Sequence, residues 1–324
     1  MPAIRRGGTS GKWRPLLLAA GVLVPLAAGA AGNPRSAVPA HAPALQPTTA
    51  EGGFAMEMAL GCGSTDVAAP QFYWWSGKVY GRRAGEPDRH LFNVQGVNPR
   101  ACRFIDDPAR GRGYQAAARE LMLYLDPVTN EVLKTWQNPW TGERVEVIHM
   151  VNDPASMRAP RFPRDPAGQP TPPMMSWEPG GSGYVAGRTQ SFFRESPLGG
   201  AYQKYVGGKY RVMEISAFAV AGSDVAAWKP GQRIPYTATW TRISDWLPWM
   251  QMAGREGQIV LVTQGRSTLQ FAELPQPLRG EIESRHTLMR ATPAFDDPRP
   301  FQTSWDALQK ELDARRAAES GKRH

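Results

Sequence analysis

From Ile234 to Ile243 the side chains alternate strictly. Tyr236, Ala238, Trp240 and Arg242 fall on one side, and Thr237, Thr239 and Thr241 on the other. A period of two belongs to a β-strand with two unlike faces; a helix would repeat its apolar positions every three or four residues. Further stretches of this kind are Phe72 to Tyr80, Arg89 to Val97, Tyr184 to Phe193, Tyr205 to Val220 and Ile259 to Gln264. Pro- and Gly-containing turns separate them. With 30 Pro and 33 Gly beside 11 Trp, 9 Tyr and 11 Phe, the chain reads as short aromatic strands joined by tight turns.

The segment from Arg119 to Val151 predicts a three-stranded meander. Its strands are Arg119–Leu125, Val132–Gln137 and Arg144–Val151, joined by turns at Asp126–Glu131 and Asn138–Glu143. In this register Leu121, Leu123 and Leu125 share an apolar face with Val132, Trp136, Val145, Val147 and His149. Glu120, Met122 and Tyr124 take the wetter face, with Arg144 near Glu120 as a surface pair. Met157 to Gly183, with seven prolines, reads as a long structureless insertion. Thr303 and Ser304 cap a C-terminal helix over 303–318 with Trp305, Leu308 and Leu312 on one stripe, leaving a tail at 319–324. Eight or more antiparallel strands favour an antiparallel meander closed into a lipocalin-like (calycin-like) barrel, because closure removes exposed edges. A β-sandwich is the alternative.

The first thirty residues predict a signal peptide. Arg5, Arg6, Lys12 and Arg14 precede an apolar run from Leu16 to Ala28, and Ala28-Gly29-Ala30 fits a cleavage site. The run is too short for a membrane-spanning helix, so no stable span is expected after processing. The Arg5-Arg6 pair hints at twin-arginine export. Residues 31–53 are Ala/Pro-rich and read as a flexible linker, followed by a barrel domain over 54–302. The expected location is periplasmic or secreted. Four of the nine net positive charges lie in the leader, leaving +5 after cleavage, and the rest are scattered. A nucleic-acid partner is therefore not expected, since such binders gather charge on one face.

Cys62 and Cys102 are the two cysteines; in an oxidising compartment they pair or remain buried thiols. Neither lies in a CxxC, and the folded-domain histidines His90, His149 and His286 show no ligand spacing, so neither metal nor cofactor is expected. His149 is a candidate general base or ligand anchor, or else a buried structural histidine. Glu214 and Arg242 are a candidate acid–guanidinium pair in an aromatic cavity, with a purely structural ion pair as the alternative. Tyr236, Trp240, Trp246 and Trp249 are candidate ligand contacts, or core.

Tyr73-Trp74-Trp75-Ser76-Gly77-Lys78-Val79-Tyr80 is followed by Leu91-Phe92 and Gly96-Val97-Asn98. Then come Tyr124-Leu125-Asp126-Pro127, Trp136, Asn138-Pro139-Trp140-Thr141-Gly142 and Asn152-Asp153-Pro154. Trp246-Leu247-Pro248-Trp249-Met250 and Thr303-Ser304-Trp305 complete the set. In order and spacing, over about residues 56–316, these resemble the bacterial and fungal family called domain of unknown function 1838. That resemblance implies one intact domain and transfers no catalytic residue. The functional expectation therefore rests on the aromatic interior: a small hydrophobic or aromatic ligand held in the barrel. The rivals are a cofactor-independent lyase, isomerase or hydrolase using His149 or Glu214 as acid or base, and an envelope interaction protein.

Overall fold

Eleven strands and four helices carry the chain in a computed structural model, which describes residues 45–157, 159–195, 198–202 and 208–321. The expected leader and residues 31–44 of the expected linker lie outside these. The strands are β1 Gln71–Arg82, β2 Arg89–Asp107, β3 Gly111–Leu125, β4 Thr135–Gln137, β5 Arg144–Glu146, β6 Met150–Met157, β7 Ser176–Gly180, β8 Gly183–Glu195, β9 Lys209–Ala221, β10 Thr237–Ser244 and β11 Gln258–Thr268. The helices are α1 Ala50–Gly61, α2 Gly222–Ala227, α3 Leu278–Ser284 and α4 Ser304–Gly321. None of the described helices is long and apolar enough to cross a membrane.

Nine strands form one antiparallel sheet in the order β6-β3-β2-β1-β11-β10-β9-β8-β7. Two meanders meet where β1 pairs with β11, from Phe72 opposite Thr268 to Arg82 opposite Gln258. At this seam Trp75 faces Gly96 on one side and Gly265 on the other. Its indole lies over Gly96 so closely that no Cβ fits there, which lets a large ring lie flat on the sheet.

The mainly antiparallel β architecture stands, but no hydrogen-bonded barrel is found among the described residues. Strands β6 and β7 remain edges, and each carries a proline, Pro154 and Pro179, that has no N–H to donate to a further strand. On the concave side α4 takes up the space instead. Its Leu308 and Leu312 are buried in the concave core with Trp246, Trp249 and Val145, and Gln302 N–H, just before the helix, donates to the Pro154 carbonyl at 2.8 Å. This helix runs to Gly321, three residues past its expected end, and the rest of the expected tail, 322–324, lies outside the described residues.

Three further boundaries need correction. Residues 45–53 are not linker: Thr49 caps α1 by accepting from Gly52 N–H at 3.0 Å, and Gly52 and Gly53 are buried. The small residues that read as flexible are small because α1 packs there without room for a Cβ. The Arg119–Val151 meander is also interrupted. The expected pairing of Leu125 with Val132 is present as an isolated bridge, but beyond it β4 and β5 pair only with each other, and β3 pairs with β2 and β6. Asn138, 1% exposed, pins this hairpin away from the sheet by donating to the Met250 carbonyl at 3.1 Å. Finally, the expected structureless insertion contains β7, whose Trp177 is buried.

Cys62, at the end of α1, and Cys102, on β2, form a disulfide with Cα atoms 5.1 Å apart. Closing a loop of this length stabilises by about 4 kcal/mol in the chain-entropy picture.

Candidate functional site

Alternation along β3 sends Leu121, Leu123 and Leu125 to the convex side, where they meet Val97 and α3's Leu278 and Ile282. Glu120, Met122 and Tyr124 therefore face the concave side and line a cavity of about 420 Å³. Tyr210 and Glu214 of β9 and Trp240 and Arg242 of β10 line the same cavity. In the sheet order β3 and β9 stand five strand spacings apart, about 24 Å if the sheet were flat. Only a strongly curled sheet brings both to one cavity. Trp249, Trp305, Phe192 and Leu308 supply much of the remaining apolar wall.

Arg242 sits directly opposite Glu214 in the β9–β10 register. Its Nη1 lies 3.4 Å from Glu214 Oε1, and its Nη2 donates to the Tyr210 hydroxyl at 3.2 Å. Gln190 of β8 donates to the other Glu214 oxygen at 2.6 Å. Burial works against the charge on Arg242, but Tyr210 and Glu214 outweigh it and hold its pKa above the ordinary value. Arg242 Nε is buried with no hydrogen-bond partner among the described residues, as is Asn152 Oδ1. Such orphans cost on the order of 1–3 kcal/mol each and gather where a site needs them.

Glu120 is the second carboxyl of the cavity. Its Oε2 accepts from Asn152 Nδ2 at 3.0 Å, and burial raises its pKa against the lowering effects of Asn152 and Arg242. The expected surface pair with Arg144 does not form: Arg144 is exposed on β5 while Glu120 faces inward. Burial likewise raises the pKa of Tyr124.

His149 also lies on the cavity wall. Its Nδ1 accepts from the backbone N–H of Tyr124 at 3.2 Å, and its ring stacks on Tyr124 with centroids 6.1 Å apart. Burial, then His286 and Arg285, push its pKa from 6.5 to about 4, so it is neutral at pH 7. Between those two values the unfolded chain takes up a proton that the folded chain resists. Stability is therefore expected to fall as pH drops from about 6.5 to about 4, by about 3 kcal/mol from this residue. His286, also lowered by burial, acts in the same direction, whereas the contribution of the raised Glu57 and Glu120 is lost as pH rises above 4.5. Urea midpoints of wild type and His149→Gln at pH 7 and pH 4.5 isolate the histidine. An equal loss in both proteins would overturn this assignment.

Of the five aromatic and basic residues expected at the ligand, Trp240, Arg242 and Trp249 line the cavity. Tyr236 lies elsewhere, stacked on Tyr73 at 5.7 Å within a separate core cluster. Trp246 packs on Trp140 at 4.8 Å and donates to the Arg255 carbonyl, away from the cavity. Glu120, Asn152, Tyr210 and Tyr124 were not among the expected site residues. The missed signal lay in β3 itself, where both faces carry large apolar residues, the mark of a strand buried on both sides.

A family model described as a protein of unknown function (DUF1838) matches residues 68–312. The chain matches no curated protein.

Proposed function

The chain belongs to the DUF1838 family of proteins of unknown function, and we propose that it is an exported protein holding a small, largely apolar or aromatic molecule in a lipocalin-like cup. The observation that carries this reading is the concave cavity, walled by Trp240, Trp249, Trp305 and Tyr124 and holding one polar cluster. Mostly apolar walls with a few convergent polar groups are the usual make-up of a small-molecule site. Export is supported by the positive, apolar and small-residue sequence of 1–30. Native mass spectrometry of the protein purified from its own host tests both parts together. The expected spectrum shows a chain shortened to begin near Ala31 and carrying a retained small molecule. A full-length chain would overturn export, and a protein that neither retains nor takes up any aromatic compound would overturn the binding role.

A second reading is favoured by one observation. Burial pushes Glu120 toward its acid form beside the Glu214–Arg242 pair, and buried carboxyls of this kind serve as general acids or bases. On that reading the same cup runs cofactor-independent lyase, isomerase or hydrolase chemistry, with Glu214 or His149 as the partner group. Ligand that is bound and released unchanged excludes it.

A further inference from the structure

The cavity holds two carboxyl groups and one guanidinium, and from this imbalance we infer that its ligand is a cationic amine on a flat aromatic or apolar body, with the ammonium set against Glu120. This deepens the binding role proposed above and rests on it.

Three charged side chains line the cavity among the described residues: Glu120, Glu214 and Arg242. Two of them are closed on each other. Arg242 meets Glu214 through Nη1 and Tyr210 through Nη2, while its Nε is sealed from the cavity. Gln190 takes the remaining Glu214 oxygen. With Nη1 and Nη2 already turned to Glu214 and Tyr210 and Nε buried, an incoming carboxylate would have to compete with Glu214 for the guanidinium. The basic side chains Arg285, Arg299 and Lys310 do not line this cavity but an adjoining groove, which shares Ile148, His149 and Gln302 with it.

Glu120 is left over. Its Oε2 has a single donor, Asn152, and its Oε1 has no hydrogen-bond partner among the described residues. A carboxyl in such surroundings must be neutralised by a proton or by an opposite charge. A ligand ammonium balances the site, giving two negative and two positive charges. The walls suit the same group. Trp240, Trp249, Trp305 and Tyr124 surround the cavity, and aromatic faces attract cations, tryptophan most strongly. An anionic ligand would instead meet Glu120 with no free cation to receive it.

The test uses three probes of one shape: 2-naphthylmethylamine, 2-naphthamide and 2-naphthoate at pH 7.5. Binding is read by isothermal titration calorimetry on the purified full-length protein and on Glu120→Gln. The amine should bind wild type about tenfold or more tighter than the amide, with the carboxylate weakest. In Glu120→Gln, which keeps the shape and removes the charge, the advantage of the amine over the amide should disappear while the amide affinity holds. Amide or carboxylate binding as tightly as the amine would overturn this inference and leave the binding role standing. An amine preference that survives in Glu120→Gln would overturn the role of Glu120. Failure of all three probes to bind would overturn both the inference and the cup on which it rests.

Discussion

Arg242→Met is expected to destabilise the protein by about 3–5 kcal/mol, because it strands a partly buried Glu214 carboxylate without its guanidinium. The two side chains are only 20% and 15% exposed, so solvent screens the pair weakly. Tyr210 also loses the donor that now reaches its hydroxyl at 3.2 Å. The methionine stem fills nearly the same volume, which keeps cavity formation small and leaves the lost charge as the main effect. The double variant Arg242→Met with Glu214→Leu should recover most of the loss, since an ion pair replaced entirely by apolar groups is often close to neutral in stability. Urea unfolding of the wild type, both single variants and the double variant closes the cycle. A single-variant loss below about 1 kcal/mol, the size of an exposed pair, would show that Glu214 is not held in place by Arg242.

Trp249→Ala should cost about as much, 3–5 kcal/mol on the scale of buried large-to-small changes, but for a different reason. Trp249 is 3% exposed in the 3-10 turn Pro248–Met250 and touches three other rings. The centroid distances are 5.3 Å to Phe92, 5.1 Å to Tyr124 and 6.0 Å to Trp136. Those rings belong to β2, β3 and the β4–β5 hairpin, so one indole joins the sheet to the hairpin and also walls the cavity. Its removal should lower the urea midpoint and release the hairpin together, visible as faster amide exchange at Trp136 and Val145. Normal exchange there alongside a large stability loss would mean that the hairpin is held by its other anchors, such as Asn138 on Met250 and Trp140 Nε1 on Glu86.

The strands themselves were legible because alternation is local. Each of the runs through Val79, Phe92, Tyr184 and Leu261 lies in a strand, and Trp240 and Arg242 share a face as the pattern of β10 requires. What no local pattern specifies is which strands adjoin. Glu214 faces Arg242 because β9 and β10 pair in register across the connection containing α2, and strand character suggested that pairing without fixing it. Glu120 shows the opposite failure. Its pairing was assigned from turn signals at Asp126–Glu131 and Asn138–Glu143; the first turn does bring Val132 back beside Leu125, but the chain then leaves β3 for the β4–β5 hairpin, and Glu120 lies opposite Asn152 of β6 instead. The competing influence was tertiary: a buried Asn138 bonded to Met250, more than a hundred residues away in sequence. The ends of the fold were obscured by composition, since the glycines of α1 pack tightly where their frequency suggests looseness.

The β1–β11 seam has a kinetic consequence. Phe72 pairs with Thr268 at the centre of the sheet, so its middle is the strand pairing with the longest reach along the chain among the described residues. The strands β1 to β3 are joined by short turns, as are β7 and β8, and these sections form by local closure. The seam must wait for both halves, and joining such distant segments is slow because a large loop entropy is lost before any contact rewards it. Until then the two strands that will become the best protected in the sheet are open edges.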